Sequence, residues 1–409
     1  MKKFYPKKFF ISNAIYGICN VSFISILLVP FLRTRISDQL QLSTTISAMD
    51  ISMFIFMYIG GILFDRFGAR FTFLFGRIID IISISLLLFN NYYTLLLAVI
   101  LQGFARGIIY GKYTSYIYNI LSANDKLHLY GRFASGYYFC WDIACSGCAF
   151  IAKLLLKDYG YELLICLSIV LKIVSYFVVF ITIPSKKNIK NQADDLSSFQ
   201  VSSIKEIFTT FIKCAKSNKL FTYLILFYGW LQYFTYPFAV VIGDMILLDI
   251  GWTQPEVASF TATLFTIMSV GTLIPLFLFP NPISVEKSVI ISIAQLLLLF
   301  VSLIIYNDKM LVFVLWFMGL TFCLFETSLE KNFEKVSNKQ IRGSVISVST
   351  SLMNILKIFN VMLFGIIAKR FSHHIGGIVI SGLLFFTALY LTIQIIKNRC
   401  LLHKVSNEV

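Results

Sequence analysis

The sequence predicts an all-α membrane protein whose twelve transmembrane helices form two six-helix bundles. Three observations predict it. The 409 residues are 58% hydrophobic and only 13% charged, with a mean hydropathy of +0.80, too apolar for a water-soluble protein of one or two domains. Twelve apolar runs reach spanning length, near the ~20 residues that cross a hydrocarbon core of ~30 Å. One polar stretch divides them six and six. This composition excludes a secreted disulfide scaffold, a cytosolic enzyme and a nucleic-acid-binding domain.

The first run, at about 9–32, follows the basic segment MKKFYPKKFF and imitates a signal peptide. Its apolar part is too long and has no small-x-small cleavage site, so an uncleaved span is expected. Runs at about 43–64, 70–89, 92–119, 130–153 and 160–183 complete an N-terminal bundle, residues 1–183. Residues 184–218 open with SKKNIKNQADDLSS and end with the amphipathic IKEIFTTFIKCAK, which reads as a cytoplasmic linker carrying a surface helix. Runs at about 219–247, 255–279, 285–306, 309–330, 342–367 and 374–396 form the second bundle, within residues 219–409. Two halves of six helices suggest pseudo-repeats around a central path.

Charge sets the expected orientation, because Lys and Arg are retained on the cytoplasmic side. With the N-terminus inside, 23 of the 35 basic residues fall in cytoplasmic segments, seven in external loops and five in helix interiors (Arg77, Arg106, Lys112, Lys172 and Lys357). Both termini are therefore expected in the cytoplasm, in the inner cell membrane. The net charge of +15 is then an orientation signal facing anionic lipid, and no nucleic-acid partner is expected. The eight cysteines lie mainly in apolar stretches and read as reduced and structural. Cys140, Cys145 and Cys148 lack a His or acid at matching spacing, so no metal site is expected.

Between the second and third runs the sequence reads Gly61-Ile-Leu-Phe-Asp65-Arg66-Phe-Gly68-Ala69-Arg70. Gly61 would let neighbouring helices approach closely, and Gly68 can supply the positive φ of a very tight turn. Asp65 suits the positive end of a neighbouring helix, while Arg66 and Arg70 suit anionic headgroups. This loop resembles the signature of the major facilitator superfamily, G-x-x-x-D-R/K-x-G-R/K-R/K, in the expected loop and on the expected side. The resemblance implies that Asp65 docks near Gly343 and Ser344, at the start of the eleventh helix, as a latch of the outward-facing state. The chain departs from the pattern at Ala69, and at Asn119, where the family often has an acid that pairs with the last base. Tyr118-Asn119 and Arg342-Gly343-Ser344 resemble the Tyr-Asp and Arg-Ala-Thr groups of bacterial permeases of unassigned substrate. The fifth run lacks the Gly-Pro pairing of drug/proton antiporters.

An ionisable side chain near the bilayer centre costs ~2.5–3.5 kcal/mol even on lenient scales, so each should face a cavity or a partner. Arg77 and Asp80, three apart on the third run, share a face and can neutralise each other. Arg106, Asp142, Glu326 and Lys357 lie inside the fourth, fifth, tenth and eleventh runs, which the resemblance places near the pathway. Two acids and two bases can exchange partners as the halves rock, and protonation of Asp142 or Glu326 would then couple a proton to solute movement. Fixed ion pairs locking the helices are the competing reading. Asp50 and Asp244 fall in outer halves, as vestibule residues. Asn20, Trp141, Tyr228 and Gln232 are candidates for substrate contact.

No enzyme is expected. Gly107-Ile-Ile-Tyr-Gly111-Lys112-Tyr-Thr114 misses the P-loop spacing, and the four histidines (128, 373, 374 and 403) lie near ends or loops. The expectation is a monomeric secondary transporter of a small organic solute, working by alternating access on the proton gradient with no cofactor. A non-transporting receptor or immunity-like protein on the same fold is the alternative.

Overall fold

The computed structural model describes residues 6–109, 112–126, 129–184, 238–277, 285–336 and 342–407, with residues 219, 222, 223, 226, 227, 229 and 230. No strand occurs among them. The polar linker lies outside the described residues from 185 onward, as do Tyr228 and Gln232.

The first span is not one helix. It is α1 (Pro6–Cys19), a single turn α2 (Phe23–Ile26) and α3 (Leu28–Arg35). Ser22 is extended, with φ −148° and ψ 149°, and its hydroxyl caps α2 by accepting from Ser25 N. Such a side chain offers the backbone an alternative to the helix ladder. Pro30 then removes the N–H that would have bonded the Ile26 carbonyl, in step with the kink at Leu27. The expected continuous helix over 9–32 is therefore corrected to a helix interrupted at Asn20–Ser22, in mid-span.

α4 (Gln39–Phe67) is capped by Asp38, whose carboxylate accepts from Leu40 N and Gln41 N. Gly68 alone separates it from α5 (Ala69–Leu86), with φ 87°. Its N–H bonds the Phe64 carbonyl at 2.9 Å and its own carbonyl accepts from Thr72 Oγ1 at 3.0 Å. A side chain here would pay the steric cost of positive φ, so the one-residue turn requires glycine. α6 (Tyr92–Ile109) and α7 (Lys112–Ser122) make the fourth span. α8 (Tyr130–Thr182) would be about 80 Å long at 1.5 Å per residue if straight, more than twice a hydrocarbon core. It is two spans meeting at Gly160, where φ is 67°. The expected loop between the fifth and sixth runs contracts to that one residue.

In the second half a π-helical turn, Phe238–Ile242, leads into α9 (Gly243–Asp249). There follow α10 (Gln254–Phe277), α11 (Val285–Ile305), α12 (Asp308–Val336), α13 (Arg342–Arg370) and α14 (His373–Asn407). Among the described residues, segments such as Gln39–Phe64, Gln254–Leu273 and His373–Asn398 are long and apolar enough to cross a membrane. Ile55, Ile59, Phe71, Ile78, Ile82, Phe150 and Phe177 are exposed on the bundle surface. In water such a face would be an aggregation site; against acyl chains it costs nothing.

The halves meet where α4 packs on α13 and where α8 packs on α10. One apolar core joins both halves, running from Ile24, Phe31 and Leu42 to Met245, Phe265 and Phe364. A second, around Tyr16, Phe73, Ile108 and Phe133, belongs to the first half alone.

Inside the first half, α4 and α6 touch backbone to backbone. A Cβ on Gly60 would lie 2.6 Å from Ile108 Cα, and one on Gly107 would lie 2.5 Å from the Met53 carbonyl oxygen. Gly103 meets the Met49 carbonyl more closely still. Small residues let spanning helices gain dispersion contact where no hydrophobic effect acts between them. Gly107→Leu should therefore cost at least about 1–3 kcal/mol by overpacking and lower the thermal midpoint in detergent. Gly147→Ala, which meets nothing within 4 Å, is the control and should leave the midpoint unchanged.

Candidate functional site

The break in the first span leaves backbone groups without helical partners in mid-membrane, where each unmet group is costly. Two side chains of the sixth span supply partners for backbone groups, and side chains of α5 and α6 bond the polar side chains at the break. Lys172, in the sixth span, donates to the Asn20 carbonyl at 3.0 Å. Arg77 of α5 donates to Asn20 Oδ1. Ser168 Oγ accepts from Ile24 N at 3.1 Å, and Gln102 of α6 donates to Ser25 Oγ at 3.2 Å. Asn20 in turn donates to the Tyr137 hydroxyl at 3.0 Å. The break is thus the hub on which α5, α6 and α8 converge.

The charges around it are arranged in two buried groups. Asp80 lies 2.9 Å from Lys172 Nζ and 3.6 Å from Arg77 Nη1, and all three side chains are buried. The guanidinium of Arg77 also sits over the Tyr16 ring, 5.8 Å from its centroid, and Tyr16 stacks on Tyr113 at 3.8 Å. The second group crosses between halves. Lys357 Nζ of α13 is 2.7 Å from Asp50 Oδ1 of α4, whose residue is fully buried. Arg106 is half-buried between these groups. Its described contacts are Met49 Sδ at 3.7 Å and the Ser25 carbonyl at 3.5 Å.

From this level the halves are joined toward the end opposite Gly68. Asp38 pairs with Lys369 at 2.8 Å, and Gln39 Nε2 donates to Met245 Sδ at 3.5 Å. Ser43 lies against Gly365, where no Cβ would fit. On the other seam Lys153 donates to Ser259 Oγ at 3.2 Å, and Ser146 Oγ bonds the Ala262 carbonyl at 2.9 Å. Trp141 packs edge-on against Phe265 with ring centroids 5.8 Å apart. At the exposed end of the first seam, hydrogen bonds from Lys369 and the Leu40 amide hold the Asp38 carboxyl below its ordinary range.

Residues 9–281 match the family profile described as Major Facilitator Superfamily. The chain belongs to the major facilitator superfamily. That makes it a multi-pass membrane protein of a transporter family. Among solved structures it is similar to a D-xylose–proton symporter, with TM-score 0.75 and 12% identity over 95% of this chain and 97% of that one. It is also similar to the nucleoside transporter NupG, with TM-score 0.68 and 15% identity over 94% and 97%. An inward-open xylose transporter, XylE from E. coli, gives TM-score 0.69 and 11% identity over 95% and 96%. At these identities the likeness is one of fold. No curated protein matches the chain.

Of the superfamily loop, Gly68 adopts the positive φ expected of it, and Arg66 and Arg70 lie at the same turn. Arg70 sits over the Phe180 ring at 4.2 Å, which ties the start of α5 to the end of the sixth span. Arg66 lies 5.9 Å from the centroid of Phe67. Gly61 is corrected in one respect. A Cβ there would meet only the end of Lys112, 3.7 Å away, and the glycine that admits a neighbouring helix is Gly60. The side chains of Asp65 and Glu326, and those around Gly343 and Ser344, lie outside the described ones, although all four positions are helical.

Arg77 and Asp80 do stand together, but the nearer cation to Asp80 is Lys172, which sequence reasoning counted as a helix-interior base and did not assign to the site. Lys357 meets Asp50. Asp50 and Asp244 are fully buried, not vestibule-exposed. Asp142 is buried on the fifth span, Asn20 is half-buried at the break, and Trp141 is half-buried on the fifth span against Phe265. The rule that a buried ion needs a partner could have flagged Lys172 and Asp50, but not named the partner.

Proposed function

We propose that the chain is a proton-coupled carrier that moves a small organic solute across the cell membrane by alternating access, as a monomer with both termini in the cytoplasm. One observation carries this reading. Arg77, Asp80, Lys172, Arg106, Asp50 and Lys357 gather around the break in the first helix, and one ion pair there, Asp50 with Lys357, has a member in each half. A charge pair that bridges two rocking bodies changes its energy with their separation, which a static helix lock inside one body does not.

The joined end then corresponds to an external gate held shut by the Asp38–Lys369 and Ser43–Gly365 contacts. The loop at Gly68 corresponds to the cytoplasmic gate, with Asp65 as its latch. Sugar and nucleoside carriers on the same fold support a soluble organic substrate. Energy comes from the proton gradient, with Asp142 and Glu326 as the acids that take up and release the proton.

Reconstitution into liposomes with an imposed pH gradient tests this. Asp142→Asn or Glu326→Gln should abolish gradient-driven uptake of a solute while expression is retained. Unchanged uptake in both would remove the coupling assignment. Binding without any flux in the unmodified protein would favour a receptor on the same fold.

A further inference from the structure

We infer that the solute carries an oxyanion, a carboxylate or a phosphate, and that Arg106 is the side chain that receives it. The inference rests on the carrier reading above and names its substrate class.

Every other described base within the spans at this depth has its acid. Lys172 and Arg77 share Asp80 at 2.9 and 3.6 Å, and Lys357 holds Asp50 at 2.7 Å. Arg106 has none within 4.0 Å among the described residues. Its two contacts are a thioether and a carbonyl at the limit of hydrogen bonding, neither able to balance a charge. A guanidinium keeps its proton in proteins, so the escape open to a buried lysine, neutralisation, is closed to it. Asp50 and Asp80 act on it only through space, from beyond ion-pair distance, each already engaged by a nearer cation, which leaves the cost of a direct partner in mid-span to be met by an anion that arrives.

Geometry favours the same conclusion. Gly103 and Gly107, on either side of Arg106, press α6 against α4 and fix the height at which the arginine leaves the helix. The side chain emerges beside the broken segment and remains half-buried, as do Asn20, Ser25, Trp141 and Lys357. Its planar fork presents parallel N–H groups that match a carboxylate or phosphate with two bonds, a match that a neutral sugar hydroxyl cannot make. Asn20 and Ser25 supply further polar groups at the same level.

The test is a thermal-shift titration of the full chain in detergent at constant ionic strength. The probes are inorganic phosphate, succinate and the pair glucose and glucose 6-phosphate, against chloride. Oxyanions should raise the midpoint by several degrees and glucose should not. In Arg106→Gln the shift should vanish. Arg106→Lys, which keeps the charge but not the fork, should need about tenfold more anion for the same shift. No response to any oxyanion, or an equal response in Arg106→Gln, overturns the assignment. Counterflow in proteoliposomes separates it from the carrier reading. Anion-dependent stabilisation without counterflow keeps the anion site and removes the carrier. Counterflow of glucose with no oxyanion response keeps the carrier and removes the anion site.

Discussion

Asp80→Asn is expected to be among the most damaging single substitutions in the first half. Asp80 is the only described carboxylate within ion-pair distance of Arg77 and Lys172, and all three side chains are buried. The amide would leave two cations facing each other without compensation. Removing one partner of a buried ion pair costs about 3–5 kcal/mol, and here one partner serves two. The expected result is a large fall in the thermal midpoint in detergent. Asp80→Asn combined with Lys172→Met should recover much of it, because Arg77 then retains Asn20 as a hydrogen-bond acceptor. A single variant as stable as the parent would mean that the triad is not the support it is taken to be.

Lys357→Met should have an effect of similar size by a different route. It strips the partner from Asp50, a fully buried carboxylate, and it removes an ion pair that joins the halves at the depth of the break. A loss of about 3–5 kcal/mol is expected for the single variant. Asp50→Asn with Lys357→Met should restore most of it, since a neutral pair leaves no charge uncompensated. The double-mutant cycle measures the coupling, and a coupling energy near zero would show that the two groups act independently. Transport should respond differently from stability. The double variant is expected to fold well yet lose gradient-driven flux, because the charge that distinguishes one arrangement of the halves from another is gone.

Much of the architecture was legible before any coordinates. Hydropathy counts apolar residues over windows of spanning length, and that property survives any packing arrangement. The turn at Gly68 was legible because a one-residue connection leaves few residue types possible. The pairing of Arg77 with Asp80 was legible because positions three apart on a helix are neighbours whatever surrounds them. The rest depended on tertiary placement. Lys357 and Asp50 stand 307 residues apart, and nothing local links them. Lys172 reaches Asp80 only because the sixth span packs where it does. Gly60 and Gly61 differ by 100° of helix rotation, which an apolar run does not fix. The interruption at Asn20–Ser22 was hidden for a related reason: two small polar residues hardly lower a hydropathy average, yet they are enough to redirect the backbone when other side chains can satisfy it.

The glycine contacts between α4 and α6 have a mechanical result. With no side chain between the two backbones, neither helix can slide or turn on the other without steric collision, so they move as one piece. Asp50 rides on the first and Arg106 on the second. In the proposed alternating-access cycle their spacing would therefore stay constant, while the distance from both to Lys357 on the opposite body would vary. A solute received by Arg106, as inferred above, would travel with Asp50, and the lysine across the seam would be the moving reference against which both are read.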